Sequence, residues 1–162
     1  MKKTILIGWG NPDRQDDGVA WHVLRAVAVR LGLPVPDSYE APFECGHEKV
    51  EFLFLLQLTP ELAEEIAGYE RVVFIDAAVG GTSGEIRQGS MAASETHLPV
   101  LSHHLSPEAL TVLAKSLYGV QIETLLLTVT GTEFQFSREL SAGVQGAVPE
   151  AAERILAWIG RE

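Results

Sequence analysis

Along the chain, apolar positions alternate between short continuous runs and helically spaced stripes. Thr4-Ile5-Leu6-Ile7 is an apolar run that stops at Gly8-Trp9-Gly10-Asn11-Pro12, the pattern of a strand buried on both faces. A polar loop through Asp16 follows. Val19, Val23, Val27 and Leu31 then recur at helical spacing, with Leu24 and Ala28 beside them and Gly32 as the stop. Leu33 to Gly46 carries several prolines and predicts a connection or a short irregular strand. Val50–Leu58 predicts a second strand, and Thr59-Pro60-Glu61-Leu62 a helix start with Thr59 as N-cap, Leu62 and Ile66 inward and Gly68 at the end. Arg71 to Asp76 is the clearest strand, apolar until its terminal acid. Gly80, Gly81 and Gly84 lead into a weak hairpin expected around Glu85 to Met91.

Ser106-Pro107-Glu108 opens another helix, bearing Leu110, Leu113, Ala114 and Leu117. Thr124–Val129 predicts a further strand, and Val144, Val148, Ala151, Ile155 and Ile159 mark a last helix over about Ser141–Trp158. Strands alternating with helices predict an α/β protein: a three-layer sandwich with a central, mostly parallel sheet and helices on both faces. No repeat, low-complexity tract or linker divides the chain, so residues 1–162 are expected to form one domain.

Charge narrows the range of partners. Asp and Glu number 22 against 12 Lys and Arg, a formal charge of -10. That field repels phosphate backbones and anionic lipid surfaces, which argues against nucleic-acid and peripheral-membrane roles. Lys2-Lys3 is followed by too short an apolar run for a secretory signal, and no stretch approaches a membrane span. A soluble, cytoplasmic protein is expected. The lone cysteine, Cys45, makes neither an intrachain disulfide nor a cysteine-rich metal site.

In open parallel sheets, ligands sit beyond the carboxyl ends of the strands. That rule selects the loop after the first strand, with Asp13, Asp16 and Asp17; the end of the third strand, with Asp76; and the segment Ser102-His103-His104. Two acids and a histidine from separate loops suit a borderline divalent ion such as Ni²⁺ or Zn²⁺, or acid–base work on water. Asp16 is read as a helix cap and Asp17 as the functional acid. Asp76 is either a site residue or an acceptor for the loop that follows it. One member of the His103-His104 pair is a bystander, and His22, His47 and His97 are expected at the surface. Trp9 is read as packing or a pocket wall, and Trp21 and Trp158 as core or edge aromatics. Gly8-x-Gly10 lacks the third glycine of a dinucleotide fingerprint, with Asp13 in its place. The chain also has no Gly-Lys-Ser/Thr phosphate loop and no Gly-x-Ser-x-Gly elbow.

Ile5-Leu6-Ile7-Gly8-Trp9-Gly10-Asn11 with Asp16-Asp17-Gly18-Val19 resembles the N-terminal signature of the hydrogenase maturation endopeptidases. Val73-Phe74-Ile75-Asp76-Ala77 is similar to that family's second signature, and Ser102-His103-His104-Leu105-Ser106 to its third. Gly131-Thr132-Glu133 and Glu139-Leu140-Ser141 resemble its C-terminal region, so the likeness spans nearly the whole chain. It implies a monomeric protease that removes a C-terminal extension from the large-subunit precursor of a [NiFe] hydrogenase after nickel insertion. It also implies that Asp17, Asp76 and His103 are the catalytic and metal-contacting residues, meeting a nickel borne by the substrate. A non-catalytic, nickel-dependent checkpoint module on the same fold is the alternative, with a small-molecule hydrolase a third reading. Ala20 stands where many relatives carry Gly. Leu56-Gln57-Leu58-Thr59-Pro60-Glu61 replaces a loop that in relatives often bears a glycine and an acid.

Overall fold

The computed structural model describes residues 2–43, 48–91 and 105–161. Strands β1 (Thr4–Trp9), β2 (Val50–Leu55), β3 (Arg71–Ala78), β4 (Ile86–Gly89) and β5 (Glu123–Thr130) form one sheet in the order β2-β1-β3-β5-β4. All neighbours run parallel except β4, which lies antiparallel to β5 at the edge. Helices α1 (Val19–Arg30) and α4 (Ala142–Ile159) cover one face; α2 (Leu62–Ile66) and α3 (Pro107–Tyr118) cover the other.

The strands are apolar on both faces because each faces a helical layer. Leu6, Val73, Ile75, Leu125, Leu127 and Val129 pack with α1 and α4, whereas Ile5, Ile7, Val72 and Phe74 pack with α2 and α3. Each fully buried large side chain contributes roughly 1.5–3 kcal/mol of hydrophobic free energy. This is the three-layer, mostly parallel α/β architecture expected from the alternation of periods. Trp21 and Trp158 are both in the core. Among the described residues, no helix is long and apolar enough to cross a membrane.

Several local expectations change. β2 ends at Leu55, opposite Trp9, because β1 offers no partner beyond that register; Leu56 and Gln57 leave the sheet. Thr59 is not the cap of α2. Leu62, Ala63 and Glu64 donate three residues back to Thr59, Pro60 and Glu61, giving a tight first turn before the helix proper. The expected hairpin around Glu85 to Met91 is a single strand, β4, whose partner β5 lies far downstream. Residues 33–43 contain no strand or helix.

Arg71 anchors the base of the sheet. Its side chain is 1 % exposed, yet the guanidinium donates to the carbonyls of Trp158, Ile159 and Arg161 at the end of α4. It also stacks 3.9 Å from the Trp158 ring centroid and lies 3.3 Å from Glu123. The orphan carbonyls of a helix C-terminus are thereby satisfied by a cation, which the helix dipole favours.

Candidate active site

Gly8 opens the route to the site. It lies on the α1 face of β1, where an added Cβ would meet the Ala20 Cβ and a Leu24 methyl at 3.0 Å. The helix therefore seats close against the strand. Gly10 has φ +138°, and a Cβ there would sit 2.0 Å from the carbonyl oxygen of Asp17. Glycine is required on both steric and conformational grounds. The loop it begins then grips the acid: the Asn11 N–H donates to Asp17 Oδ2 at 2.9 Å. The glycine pattern that looks like a weak nucleotide loop is a cradle for the Asp17 backbone and carboxylate.

Asp76 arrives from the carboxyl end of β3, on the strand face of Phe74 and towards α3. Its Oδ1 accepts a 2.8 Å hydrogen bond from the Ala77 N–H. Burial, and then the nearby Asp17 charge, push its carboxyl up to about 7, against the single backbone donor. A carboxyl in that range retains a proton through much of the neutral region.

Both acids line one cavity of about 510 Å³ together with Trp9, Gly10, Arg14, Leu56, Gln57, Leu58, Ala77 and Leu105-Ser106-Pro107. Trp9 is thus a pocket wall, set edge-on to Phe74 at 6.2 Å between centroids. The Ser106 hydroxyl caps α3 by accepting from the Ala109 N–H at 3.1 Å. His103 lies outside the described residues, as do Ser102, His104, Cys45, His47 and His97. The described chain resumes on the cavity wall at Leu105, two positions after His103. Among the described residues, no group of three or more acids, histidines or cysteines is close enough to hold a metal ion. The described donors for a cation are the two carboxylates, whose like charges in a partly desolvated cavity would be relieved by one.

Asp16 does something different from capping its own helix. It is fully buried, and its carboxylate accepts from the N–H groups of Thr132, Glu133 and Ser141 and from the Ser141 hydroxyl, at 2.8–3.0 Å. Burial opposes ionisation, but these donors outweigh it and hold the carboxyl below its ordinary value. Asp16 therefore ties the 131–141 loop to the site loop. Asp13 reinforces this, accepting from Tyr39 Oη at 2.8 Å and from Arg138 Nε at 2.7 Å. The two bonds, Tyr39 first, lower its carboxyl too.

His22 is not a free surface group. It packs edge-on against Trp21, and burial followed by the Arg25 charge pushes its imidazole down to about 4. Arg14, Leu56 and Gln57, none of them a predicted site residue, are also on the cavity wall. Arg14 lies in the same loop as Asp17; Leu56 and Gln57 fall at the end of the run expected to be strand, in the segment that replaces the relatives' glycine-bearing loop.

No protein-family profile matches the sequence, nor does any curated protein. Solved structures do resemble it. The [NiFe] hydrogenase maturation protease HycI from Thermococcus kodakarensis superposes with TM-score 0.69 at 21% identity, over 99% of this chain and 94% of that one. The hydrogenase maturating endopeptidase HybD from E. coli gives TM-score 0.69 at 20% identity, covering 97% and 91%. The hydrogenase 2 maturation peptidase of a Thaumarchaeota archaeon gives 0.65 at 23%, covering 99% and 100%. From end to end, the chain has the α/β fold of these hydrogenase maturation proteases.

Proposed function

We propose that the protein is an endopeptidase that removes the C-terminal extension of a [NiFe]-hydrogenase large-subunit precursor once nickel is in place. It would act as a cytoplasmic monomer. The observation that carries this reading is the meeting of Asp17 and Asp76 in one cavity at the carboxyl edge of a maturation-protease fold. His103 is the third member of the proposed site, on the strength of its motif ahead of α3.

The nickel belongs to the substrate. Held by Asp17, Asp76 and His103, it would anchor the precursor and polarise groups near the scissile bond. The residues contribute the rest. Asp17, fixed by the Asn11 N–H, is placed to accept a proton from attacking water. Asp76, which titrates near neutrality, would give up its proton to meet the nickel as a carboxylate. Hydrolysis then balances: Asp17 takes one proton as hydroxide adds to the carbonyl carbon, the C–N bond breaks as that proton passes to the leaving nitrogen, and the water's second proton stays with the new carboxyl group until it ionises.

The test is to mix the purified protein with nickel-loaded precursor and look for the released C-terminal peptide by mass spectrometry. Release by the wild type, abolished in Asp17→Asn and His103→Ala variants of unchanged fold, supports the assignment. Binding without release would favour the checkpoint module. Processing at wild-type rate by either variant would refute the site.

A further inference from the structure

We infer that Arg14 is a substrate-binding residue that pairs with a carboxylate on the peptide entering the Asp17–Asp76 cavity; this rests on the endopeptidase reading above. Arg14 lines that cavity together with both acids and is exposed to solvent. Among the described residues, its guanidinium takes part in no ion pair, unlike those of Arg30, Arg71, Arg87, Arg138 and Arg154; Arg25 and Arg161 also have none, but neither lines the cavity, and Arg25 lies 4.6 Å over the Trp21 ring. Neighbouring acids are committed elsewhere. Asp13 is held by Arg138 and Tyr39, and Asp16 by the 131–141 loop. Asp17 accepts from the Asn11 backbone instead.

The backbone holds this arrangement at a conformational cost. Gln15 has φ +46°, the one left-handed non-glycine residue among those described. Three contacts over-determine it: its N–H donates to the Ser137 carbonyl at 2.9 Å, its Oε1 accepts from the Gln135 N–H at 2.8 Å, and its amide nitrogen lies 3.5 Å from the Glu139 carbonyl. Arg14 itself is pinned, donating its N–H to Asn11 and accepting from the Asp17 N–H. The left-handed residue turns the chain so that Asp16 enters the core while Arg14 and Asp17 line the cavity.

An exposed arginine on a cavity that two carboxylates also line, with no ion pair among the described residues and in a chain of charge -10, suits a ligand that brings its own anion. The planar fork matches a carboxylate in bidentate fashion. A phosphate dianion would suffer more from Asp17 and Asp76. The shared chemistry is a peptide carboxylate, either an Asp or Glu side chain or the chain's terminal carboxylate.

Binding and cleavage of the nickel-loaded precursor are measured separately for the wild type, Arg14→Gln and Arg14→Lys. Arg14→Gln should weaken binding and raise KM about tenfold, with kcat at saturation falling less than threefold, and Arg14→Lys should recover part of the loss. Precursors with each Asp or Glu of the extension changed to its amide, and one with an amidated C-terminus, identify the partner. The correct one raises KM for the wild type and adds nothing in Arg14→Gln. An affinity and KM within twofold of wild type in Arg14→Gln, or additive losses with every altered precursor, would overturn the proposal. A wild type that binds but never cleaves would instead refute the endopeptidase reading, and the binding arm alone would then decide for or against Arg14.

Discussion

Replacing Asp76 with Asn should stabilise the protein at alkaline pH and do almost nothing to its stability in acid. The amide keeps the shape of the side chain and can still accept from the Ala77 N–H. In the folded chain the carboxyl titrates at about 7, against an ordinary value of 3.8. Between those values the folded state binds more protons than the unfolded one, so stability falls as pH rises through that window and is level above it. The penalty above pH 7 is about 4 kcal/mol at most, and solvent reaching the cavity reduces it to roughly 2–4 kcal/mol. Asp76→Asn removes it. The variant should therefore melt roughly 4–12 °C higher than wild type at pH 8 and within about 2 °C of it at pH 4. Paired thermal or urea denaturation curves at the two pH values measure the difference. Equal shifts at both pH values, or destabilisation at pH 8, would show that Asp76 is neither desolvated nor repelled by Asp17. The same substitution should abolish precursor processing, a stability gain at the expense of activity.

Other perturbations probe the supporting frame. Asp16→Ala orphans the N–H groups of Thr132, Glu133 and Ser141 and should cost about 3–5 kcal/mol by chemical denaturation; a loss under 1 kcal/mol would contradict the role given to that carboxylate. Because donors hold the Asp16 carboxyl below its ordinary value, its stabilisation is present above the unfolded value of 3.8 and lost as pH falls through the folded one. Wild type should accordingly lose more stability than Asp16→Asn below pH 4. Gly10→Ala places a methyl against the Asp17 carbonyl at a φ unsuited to alanine and should destabilise by upwards of about 3 kcal/mol. Normal stability of that variant would mean the cradle is looser than described. Binding of Ni²⁺ should displace the Asp76 proton. Calorimetry of His103→Ala in buffers of differing ionisation enthalpy should show close to one proton released near pH 6 and almost none by pH 8.5. Absence of that release would remove Asp76 from the cation site.

The parts of this fold that a sequence discloses are those set by local pattern. β1, β3 and β5 read as apolar runs because helices cover both of their faces, and Ser106-Pro107 marks the start of α3 through a cap and a preset φ. The Asp17 loop was legible for a related reason, since its glycines exist to let backbone approach backbone. Contacts between distant segments left no such trace. Nothing near Asp16 announces that its donors stand at Thr132, Glu133 and Ser141, and β4 looks like half of a hairpin until β5 is seen beside it. Arg71 begins an apolar strand as though facing solvent, yet it closes the end of α4, some 90 residues later. His22 sits on a helix with the spacing of an exposed residue, and Trp21 and Arg25 decide otherwise.

Asp17, Asp76 and His103 are proposed to share one cation. Anomalous diffraction from crystals soaked in Ni²⁺ or Cd²⁺ would locate it. A single strong peak at the Asp17–Asp76 cavity, with carboxylate oxygen and imidazole nitrogen at roughly 2.0–2.4 Å, is the expected result. A peak elsewhere, or His103 turned away from an ion held by the two acids, would contradict it.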